Sequence, residues 1–460
     1  MDLKKRLDAL RRQAGATPGV AVPGPEADRP ADPAGVVSTE SLAAEARADL
    51  RSRLRRLAGQ AGPASRAGSA AGAAGAMPGS TPQVSGARYR GAPAPATALA
   101  ERLSGQVVAE HLVLVESVVP LDTWHGRRRL VDALEPLWPL AAPSPPSPSQ
   151  AGKGVRREPA SRVLGIDTET TGLAGGTGTA AFMVGVAEAG PEGVRLRQWL
   201  LTAFAGEAAM LGEVAACLAE ADLVVSYNGK TFDLPLLRDR RRLLRGSALP
   251  EPLHLDLLHP ARRLFRRIWP DCRLTTAEQR LLGLYRRQDL PGSEAPRAWR
   301  DFLAGAPADD LERVLRHNAW DVLSLLMLGP ALARVLRDRV GFGADPAGVA
   351  ATWARCGDRV RALAVLENAR EELDPRGKLA LARALRGAGR WAEAAALWEL
   401  LAHEGSPEAL ECLAKYHEHV RRDWPRALAY AQRLDQSPEA RHRRGRLERR
   451  LAAGQGRLDL

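Results

Sequence analysis

The sequence is poor in cysteine, and it lacks both a secretory signal and an apolar run of membrane length. Its cysteines lie at positions 217, 272, 356 and 412. They are too far apart for a zinc-binding pattern or a disulfide framework, which favours a reducing, cytoplasmic location. Residues 1–15 are charged and have no apolar centre, unlike a secretory signal. No run approaches the roughly 18 apolar residues that a membrane helix needs. We therefore expect a cytoplasmic protein with no membrane partner.

Lysine is also scarce, yet the chain is strongly basic. The 460 residues carry a formal net charge of +12, while lysine occurs only at positions 4, 5, 153, 230, 378 and 415. The positive charge is therefore nearly all arginine, which binds phosphate groups in a bidentate manner. A basic balance favours a polyanionic partner such as nucleic acid. G+C-rich coding bias produces the same arginine- and alanine-rich composition, so composition leaves both explanations open.

Four carboxylates and one histidine predict a site for two divalent cations. Asp167 and Glu169 end an apolar segment typical of a strand, where residues two apart share a face. His317 and Asp321 lie four apart in a helical pattern, which also places them on one face. Asp233 lies between these two pairs in the chain. Carboxylate oxygens suit Mg²⁺ or Mn²⁺, and two ions about 3.5–4 Å apart can activate water for phosphodiester hydrolysis.

Each of these residues also has an ordinary structural interpretation. Asp233, two residues before Pro235, could cap a helix whose first turn carries the proline. Asp321 alone would be a solvated helix carboxylate, and His317 alone a hydrogen-bonded structural histidine. Their order along the chain and the matching local structure favour the metal site.

A second group of residues is a rival for metal binding. His254 and Asp256 would share one face of a short strand, and His259 follows in the same segment. Asp256 could instead support the main site from behind. His125, next to Trp124, is predicted to be a structural hydrogen-bonding residue.

The motifs that contain these residues resemble a known family. The segment at 166–173 resembles the first motif of the DEDD exonucleases, which have a ribonuclease-H-like fold. The glycine- and threonine-rich run 170–182, together with the segments at 226–230 and 317–321, resembles the bacterial YprB-type branch of these enzymes. The resemblance covers about residues 100–340.

The resemblance implies an α/β fold with a mixed five-stranded sheet flanked by helices, and 3′→5′ exonuclease activity. The implied metal ligands are Asp167, Glu169, Asp233 and Asp321. The further substrate-binding candidates are Thr170, Tyr227, Asn228 and Lys230. In this superfamily the general base is a His with four residues before the last Asp, or a Tyr with three. His317 has the Tyr spacing, so its role as the base stays open.

The pattern of strands and helices agrees with this fold class. The predicted strands are 162–167, 181–188, 194–202, 222–227 and 253–256, and the predicted helices between them are 206–220 and 232–245. The glycine-rich run 172–179 lacks a phosphate-loop ending, so it is predicted to be a loop beside the metal site.

Composition divides the whole chain into six segments. They are a mostly disordered basic region at 1–95, an accessory segment at 96–141, a linker at 142–160, a nuclease domain at 161–338, helical repeats at 345–440 and a basic tail at 441–460. Gly357, Gly389 and Arg422 recur at periods of 32 and 33, close to the roughly 34 of tetratricopeptide repeats. Such repeats would offer a surface to a protein partner.

The prediction is a nuclease that cuts nucleic acid with two Mg²⁺ or Mn²⁺ ions, acting as a 3′→5′ exonuclease. One alternative is a structure-specific endonuclease that uses the same site. Another is a nucleic-acid-binding adaptor with weak or lost catalysis. DNA and RNA stay equally open, since no visible feature contacts a 2′-hydroxyl.

Overall fold

The computed structural model describes residues 95–137, 139–140, 162–172 and 178–455. The predictions for residues 1–94, for the linker at 142–160 and for glycine-rich residues 173–177 lie outside this part. The described chain divides into two compact units. The first takes in the described residues between 95 and 137, 162 and 259, and 271 and 332, and the second takes in 139–140, 260–270 and 333–455.

The first unit is built around one mixed sheet. Its strands are β1 (Gln106–Ala109), β2 (Leu112–Val119), β5 (Val163–Thr170), β6 (Ala181–Gly190), β7 (Gly193–Leu201), β8 (Leu223–Ser226) and β9 (Leu253–Asp256), and a separate hairpin pairs β3 (Trp124–His125) with β4 (Arg128–Arg129). The order in the sheet is β1-β2-β7-β6-β5-β8-β9. β8 runs parallel to its neighbours β5 and β9, and the other pairs are antiparallel.

The sheet has seven strands, so the predicted number of five is wrong. The additional pair is the hairpin of β1 and β2, in which β2 pairs with β7 from Leu112–Leu201 to Val119–Val194. The five predicted strands all form, at 163–170, 181–190, 193–201, 223–226 and 253–256. Strand β6 is buried from Ala181 to Ala187, as expected of a strand covered on both faces.

Helices connect and cover these strands. They are α1 (Ala96–Leu103), α2 (Glu207–Glu220), α3 (Asp233–Leu243), α5 (Leu274–Ala277), α6 (Ala295–Leu303) and α7 (Asp309–Arg337), whose last residues belong to the second unit. Most of α4 (Leu258–Phe265) also belongs to the second unit. Helix α2 connects β7 to β8, and α3 connects β8 to β9, which gives the alternation that parallel strands require. The core contains Ile166, Phe182, Trp199 and Trp299, all almost fully buried.

Helix α7 lies against the centre of the sheet, and two glycines permit the close approach. A methyl group on Gly165 of β5 would lie 3.0 Å from the carbonyl oxygen of Val322. A methyl group on Gly185 of β6 would lie 1.8 Å from Asn318 Oδ1. The approach requires both strand positions to lack a side chain.

By length and composition, α7 is apolar enough to cross a membrane, so the expectation that no such run exists is wrong. However, its most apolar stretch is 89% buried inside the protein. A buried core helix can have this length and composition.

The second unit is helical. After the short α8 (Arg339–Phe342) come α9 (Pro346–Arg355), α10 (Arg359–Asn368), α11 (Pro375–Gly387), α12 (Trp391–His403), α13 (Pro407–Tyr416), α14 (Trp424–Gln432) and α15 (Pro438–Gln455). Consecutive helices from α9 to α15 contact each other. On α15, Arg443 and Arg446 donate hydrogen bonds to the fully buried carboxylate of Glu418.

The positions that repeat in the sequence also share a backbone conformation. Gly357, Gly389 and Arg422 have φ values of 87°, 79° and 55°. Each lies between the two helices of a consecutive pair, where the chain turns back. Arg422 therefore takes a left-handed conformation at the position where the other two sequence repeats have glycine.

Candidate metal centre

The end of β5 supplies the first two carboxylates. Asp167 and Glu169 extend from the same face of the strand, as residues two apart do. Asp167 is half-buried and Glu169 is only 7% exposed. The antiparallel partners of these residues, Gly185 and Met183 on β6, place them in the middle of the sheet. The strand pattern predicted that the two carboxylates share a face, but not their position in the sheet.

Helix α7 brings a histidine and a third carboxylate to the same place. The ligand atoms of Glu169, His317 and Asp321 all lie within 4.8 Å of one another. His317 Nε2 lies 3.4 Å from Asp321 Oδ2, as the spacing of four residues along a helix allows. The structure therefore brings three of the five predicted centre residues into one potential ligand group.

Asp167 is joined to this group through Asn318. The side-chain amide of Asn318 donates a hydrogen bond to Asp167 Oδ2 at 3.0 Å. The amide oxygen of Asn318 in turn accepts a hydrogen bond of 3.0 Å from Gln198 Nε2. Gly185 leaves the space for Asn318. This buried chain of amides fixes one oxygen of Asp167 and connects β5 with α7.

Asp233 lies at the edge of the same site. It is the first residue of α3, whose N-cap is Phe232, so the interpretation of Asp233 as the cap is wrong. Its carboxylate accepts a hydrogen bond from the hydroxyl of Thr168. It is close enough that its charge raises the pKa of both Asp167 and Glu169.

The electrostatics of the centre are those of crowded, buried carboxylates. Burial, reinforced by the charges of Asp321 and Asp233 and opposed by His317, raises the pKa of Glu169 to about 8. Burial also raises the pKa of Asp233 to about 6, and the pKa of Asp167 is raised by burial and by Asp321. A divalent cation would stabilise the ionised forms of all these groups. The donor set therefore fits a hard cation such as Mg²⁺ or Mn²⁺.

His317 has the opposite electrostatic environment. Burial acts to lower its pKa, but a hydrogen bond to Asp289 and the charges of Asp321 and Glu169 outweigh burial and raise the pKa to about 9. His317 Nδ1 lies 2.8 Å from Asp289 Oδ2. Burial acts to raise the pKa of Asp289, but hydrogen bonds from His317 and Arg286 outweigh burial and lower the pKa. His317 and Asp289 form a charged pair beside the carboxylates.

The turn after β8 carries the predicted substrate-binding residues, and Asp256 holds that turn. The carboxylate of Asp256 is fully buried. It accepts hydrogen bonds from the backbone amides of Asn228 at 2.8 Å, of Lys230 at 3.0 Å and of Leu258 at 3.1 Å. Asn228 takes a left-handed conformation, with φ of 72°. The side chains of Asn228 and Lys230 are exposed at the start of α3.

Two other substrate-binding candidates have partners within the protein. The hydroxyl of Tyr227 donates a hydrogen bond of 2.8 Å to the carbonyl oxygen of Cys272. The hydroxyl of Thr170 donates one of 3.0 Å to the carbonyl oxygen of Gly172. Both contacts stabilise the chain around the centre.

The rival group does not come together as a set of ligands in the described chain. His254 Nε2 lies 2.7 Å from Ser226 Oγ, and His259 lies 3.9 Å from Asp256 Oδ2. Burial lowers the pKa of His254 to about 4, and the charge of Lys230 adds to this. Asp256 instead has a structural role, because the hydrogen bonds that it accepts hold the turn after β8.

Comparisons with known proteins identify the family. The sequence pattern of the RNase_H superfamily matches residues 164–333. The uncharacterized protein YprB of Bacillus subtilis (strain 168) is 32% identical over 338 residues, which cover 70% of this chain and 80% of YprB. This chain belongs to the YprB family. Within its RNase_H superfamily region lie Asp167, Glu169, Asp233, His317 and Asp321.

A solved structure is also similar, but more distantly. The family B DNA polymerase from the hyperthermophilic archaeon Pyrobaculum calidifontis has 18% sequence identity and a TM-score of 0.33. The similar region covers 50% of this YprB-family chain and 29% of the polymerase chain.

The centre of this YprB-family chain also contains charged groups that no sequence motif indicates. The guanidinium of Arg286 is only 5% exposed and contacts Asp321 and Glu278, the latter at 2.5 Å. It also lies 3.3 Å from Asp289 Oδ2. In the sequence, Arg286 is indistinguishable from its exposed neighbour Arg287. No local signal separates the two, because only the fold decides which of them is buried.

Behind Arg286 a buried polar chain reaches His125. The hydroxyl of Ser324 donates a hydrogen bond to Glu278, and Ser324 Oγ lies 2.7 Å from His125 Nε2. His125, Glu278 and Ser324 are fully buried. The prediction that His125 is a structural hydrogen-bonding residue is therefore confirmed. Burial lowers its pKa to about 3, so it is neutral at physiological pH.

Proposed function

We propose that this chain is a metal-dependent nuclease that hydrolyses phosphodiester bonds of nucleic acid, as a 3′→5′ exonuclease. The observation that carries the proposal is the convergence of Glu169, His317 and Asp321 with Asp167 at the centre of the sheet. It occurs inside the region that matches the RNase_H superfamily. The 3′→5′ direction rests on the resemblance of the sequence motifs to DEDD exonucleases.

The carboxylates would hold two Mg²⁺ or Mn²⁺ ions. The residues that would supply the ligands are Asp167, Glu169, Asp233 and Asp321. The bound ions would lower the pKa of a water molecule and stabilise charge on the leaving oxygen. Their positive charge would also lower the pKa of His317, so that Nε2 could accept a proton from water near neutral pH.

The exposed turn at the start of α3 would contact the substrate backbone. Lys230 and Asn228 are exposed there, while the turn itself is fixed by buried Asp256. Two neighbouring arginines of α3 instead bind other groups within the protein. Arg240 pairs with Glu207, and Arg241 donates to the carbonyl oxygen of Leu211. We therefore propose Lys230 as a phosphate contact in preference to these arginines.

A protein partner for the helical second unit and a cytoplasmic location are also part of the proposal. The first rests on the resemblance of residues 345–440 to tetratricopeptide repeats. The second rests on the cysteines, all of which are free.

The test uses labelled substrates and a closed circle. Single- and double-stranded DNA and RNA, labelled at the 3′ or the 5′ end, are incubated with the full chain in Mn²⁺, in Mg²⁺ or in a chelator. We expect early release of a 3′ label and a ladder from a 5′ label, only with metal. Asp167→Asn is the matched inactive control.

Each alternative function gives a different pattern in the same test. Cleavage of a covalently closed single-stranded circle would identify an endonuclease. Release of the 5′ label first would contradict the proposed direction. Salt-sensitive binding with no cleavage of any substrate would contradict the nuclease and leave the adaptor.

A further inference from the structure

The imidazole ring of His317 is held on both sides. On one side, Nδ1 lies 2.8 Å from Asp289 Oδ2. On the other side, Nε2 lies 3.4 Å from Asp321 Oδ2, within the group that includes Glu169. An ionised carboxylate only accepts hydrogen bonds, so the hydrogen in the Asp289 contact belongs to Nδ1. The ring orientation is therefore set by a residue outside helix α7.

Asp289 is itself fixed in place. Arg286 Nη1 donates to Asp289 Oδ2 at 3.3 Å, and the guanidinium is anchored by Glu278 and Asp321. Arg286 Nη1 also lies 3.5 Å from His317 Nδ1, a longer contact than that to Asp289. The backbone before Asp289 is tied to α7, because Arg316 donates a hydrogen bond of 2.9 Å to the carbonyl oxygen of Gln288. The carboxylate thus has little freedom to leave the histidine.

We propose that Asp289 is a positioning residue. It holds the Nδ1 hydrogen of His317 and thereby directs Nε2 towards the carboxylates of Glu169 and Asp321. The proposal rests on the proposed nuclease function for its kinetic test only. Helix geometry brings His317 onto the same face as Asp321, but it does not decide which ring nitrogen faces the centre. The contact with Asp289, which lies 28 residues earlier in the chain, determines which nitrogen faces the centre.

The chemical consequence concerns one proton. With the hydrogen on Nδ1 engaged by Asp289, only Nε2 can exchange a proton with a water molecule at the centre. Without the carboxylate, the ring can turn, and the hydrogen can reside on either nitrogen. Removal of a carboxylate that holds a histidine at a metal site typically lowers activity by roughly 10- to 100-fold.

The kinetic test compares single and double variants of the full chain in Mn²⁺. Asp289→Ala and Asp289→Asn should lower kcat by roughly 10- to 100-fold and change KM by less than about threefold. In a His317→Ala background, the same substitutions should cause no further loss, because Asp289 acts through that ring. Asp301→Asn, which removes an exposed carboxylate from an ion pair with Arg297, should leave kcat unchanged.

The outcomes that contradict the proposal are equally definite. A loss in the His317→Ala background as large as in the wild type would overturn it, because Asp289 would then act independently of His317. Unchanged kcat in both single variants would also overturn it. The isosteric Asp289→Asn keeps the test valid if Asp289→Ala does not fold.

A spectroscopic measurement decides the question without activity. In protein labelled with ¹⁵N-histidine, His317 should show a Nδ1-bound proton protected from exchange, identified by its absence in His317→Ala. The signal should disappear in Asp289→Ala and persist in Asp301→Asn. A protected proton that persists in Asp289→Ala, or none in the wild type, would overturn the proposal. A chain that cleaves nothing but shows this pattern would contradict only the nuclease function.

Discussion

Replacing Glu169 by glutamine should stabilise the metal-free protein while it abolishes cleavage. Burial and neighbouring carboxylates raise the pKa of Glu169 to about 8, so the folded state keeps this carboxyl protonated where the unfolded chain has lost the proton. A folded state that binds one proton more than the unfolded state loses stability as the pH rises. Glutamine resembles the protonated form and has no proton to lose.

The magnitude follows from the proton difference. One proton corresponds to about 1.4 kcal/mol per pH unit, so the advantage of Glu169→Gln should grow by about 2 kcal/mol between pH 5 and pH 6.5. His317 contributes no slope in this window, since a raised histidine pKa affects stability only above its unfolded value of 6.5. For a unit of this size, 2 kcal/mol corresponds to a rise of about 4–8 °C in Tm.

Calorimetry in a chelator, at several pH values from 5 to 6.5, measures this effect. Glu192→Gln, which changes an exposed carboxylate, is the matched control and should show no pH-dependent gain. Added Mg²⁺ should raise the Tm of the wild type more than that of Glu169→Gln, because binding to the folded state stabilises it. A Glu169→Gln protein that is less stable than wild type at pH 6.5, or a gain independent of pH, would refute the reasoning.

Three further predictions concern the same centre. Asp167→Ala should abolish metal-dependent cleavage but keep binding of an oligonucleotide in a chelator, measured by fluorescence anisotropy; a loss of binding would mean that Asp167 supports the fold. His317→Ala should lower the rate by roughly 10²–10⁴, the usual contribution of a general base. His317→Tyr should retain more activity than His317→Ala, and equal rates for His317→Ala and wild type in a single-turnover assay would remove the histidine from the mechanism. Arg286→Met should lower the free energy of unfolding by roughly 3–5 kcal/mol, because it leaves buried carboxylates unpaired. Arg287→Met, on an exposed neighbour, should change it by less than about 0.5 kcal/mol in the same denaturant titration.

The main strands and the placement of most site residues were predictable because they depend on local periodicity. Asp167 and Glu169 share a face because strand side chains alternate, and His317 and Asp321 share one because helix turns repeat. Either rule needs only the residues within one element. The order of the motifs along the chain then supplied the expectation that these elements meet.

The contacts that depend on tertiary packing could not be predicted in this way. Arg286 and Asp289 lie in an irregular segment between helices, where no period indicates which side chain faces inward. The pairing of β2 with β7 was missed for a related reason. Nothing in the sequence of residues 112–119 specifies which strand of the sheet β2 joins. Both cases require knowledge of a partner distant in the chain.

The pairing of β2 along β7 has a practical consequence for anyone who isolates the region that matches the RNase_H superfamily. A fragment cut at the limits of the matched region, 164–333, would lose the hairpin and leave the backbone of β7 unpaired from Val194 to Leu201. Unpaired strand edges recruit strands from other molecules, so such a fragment should aggregate. A fragment that starts at residue 95 keeps its own complementing strand and is the better choice for expression.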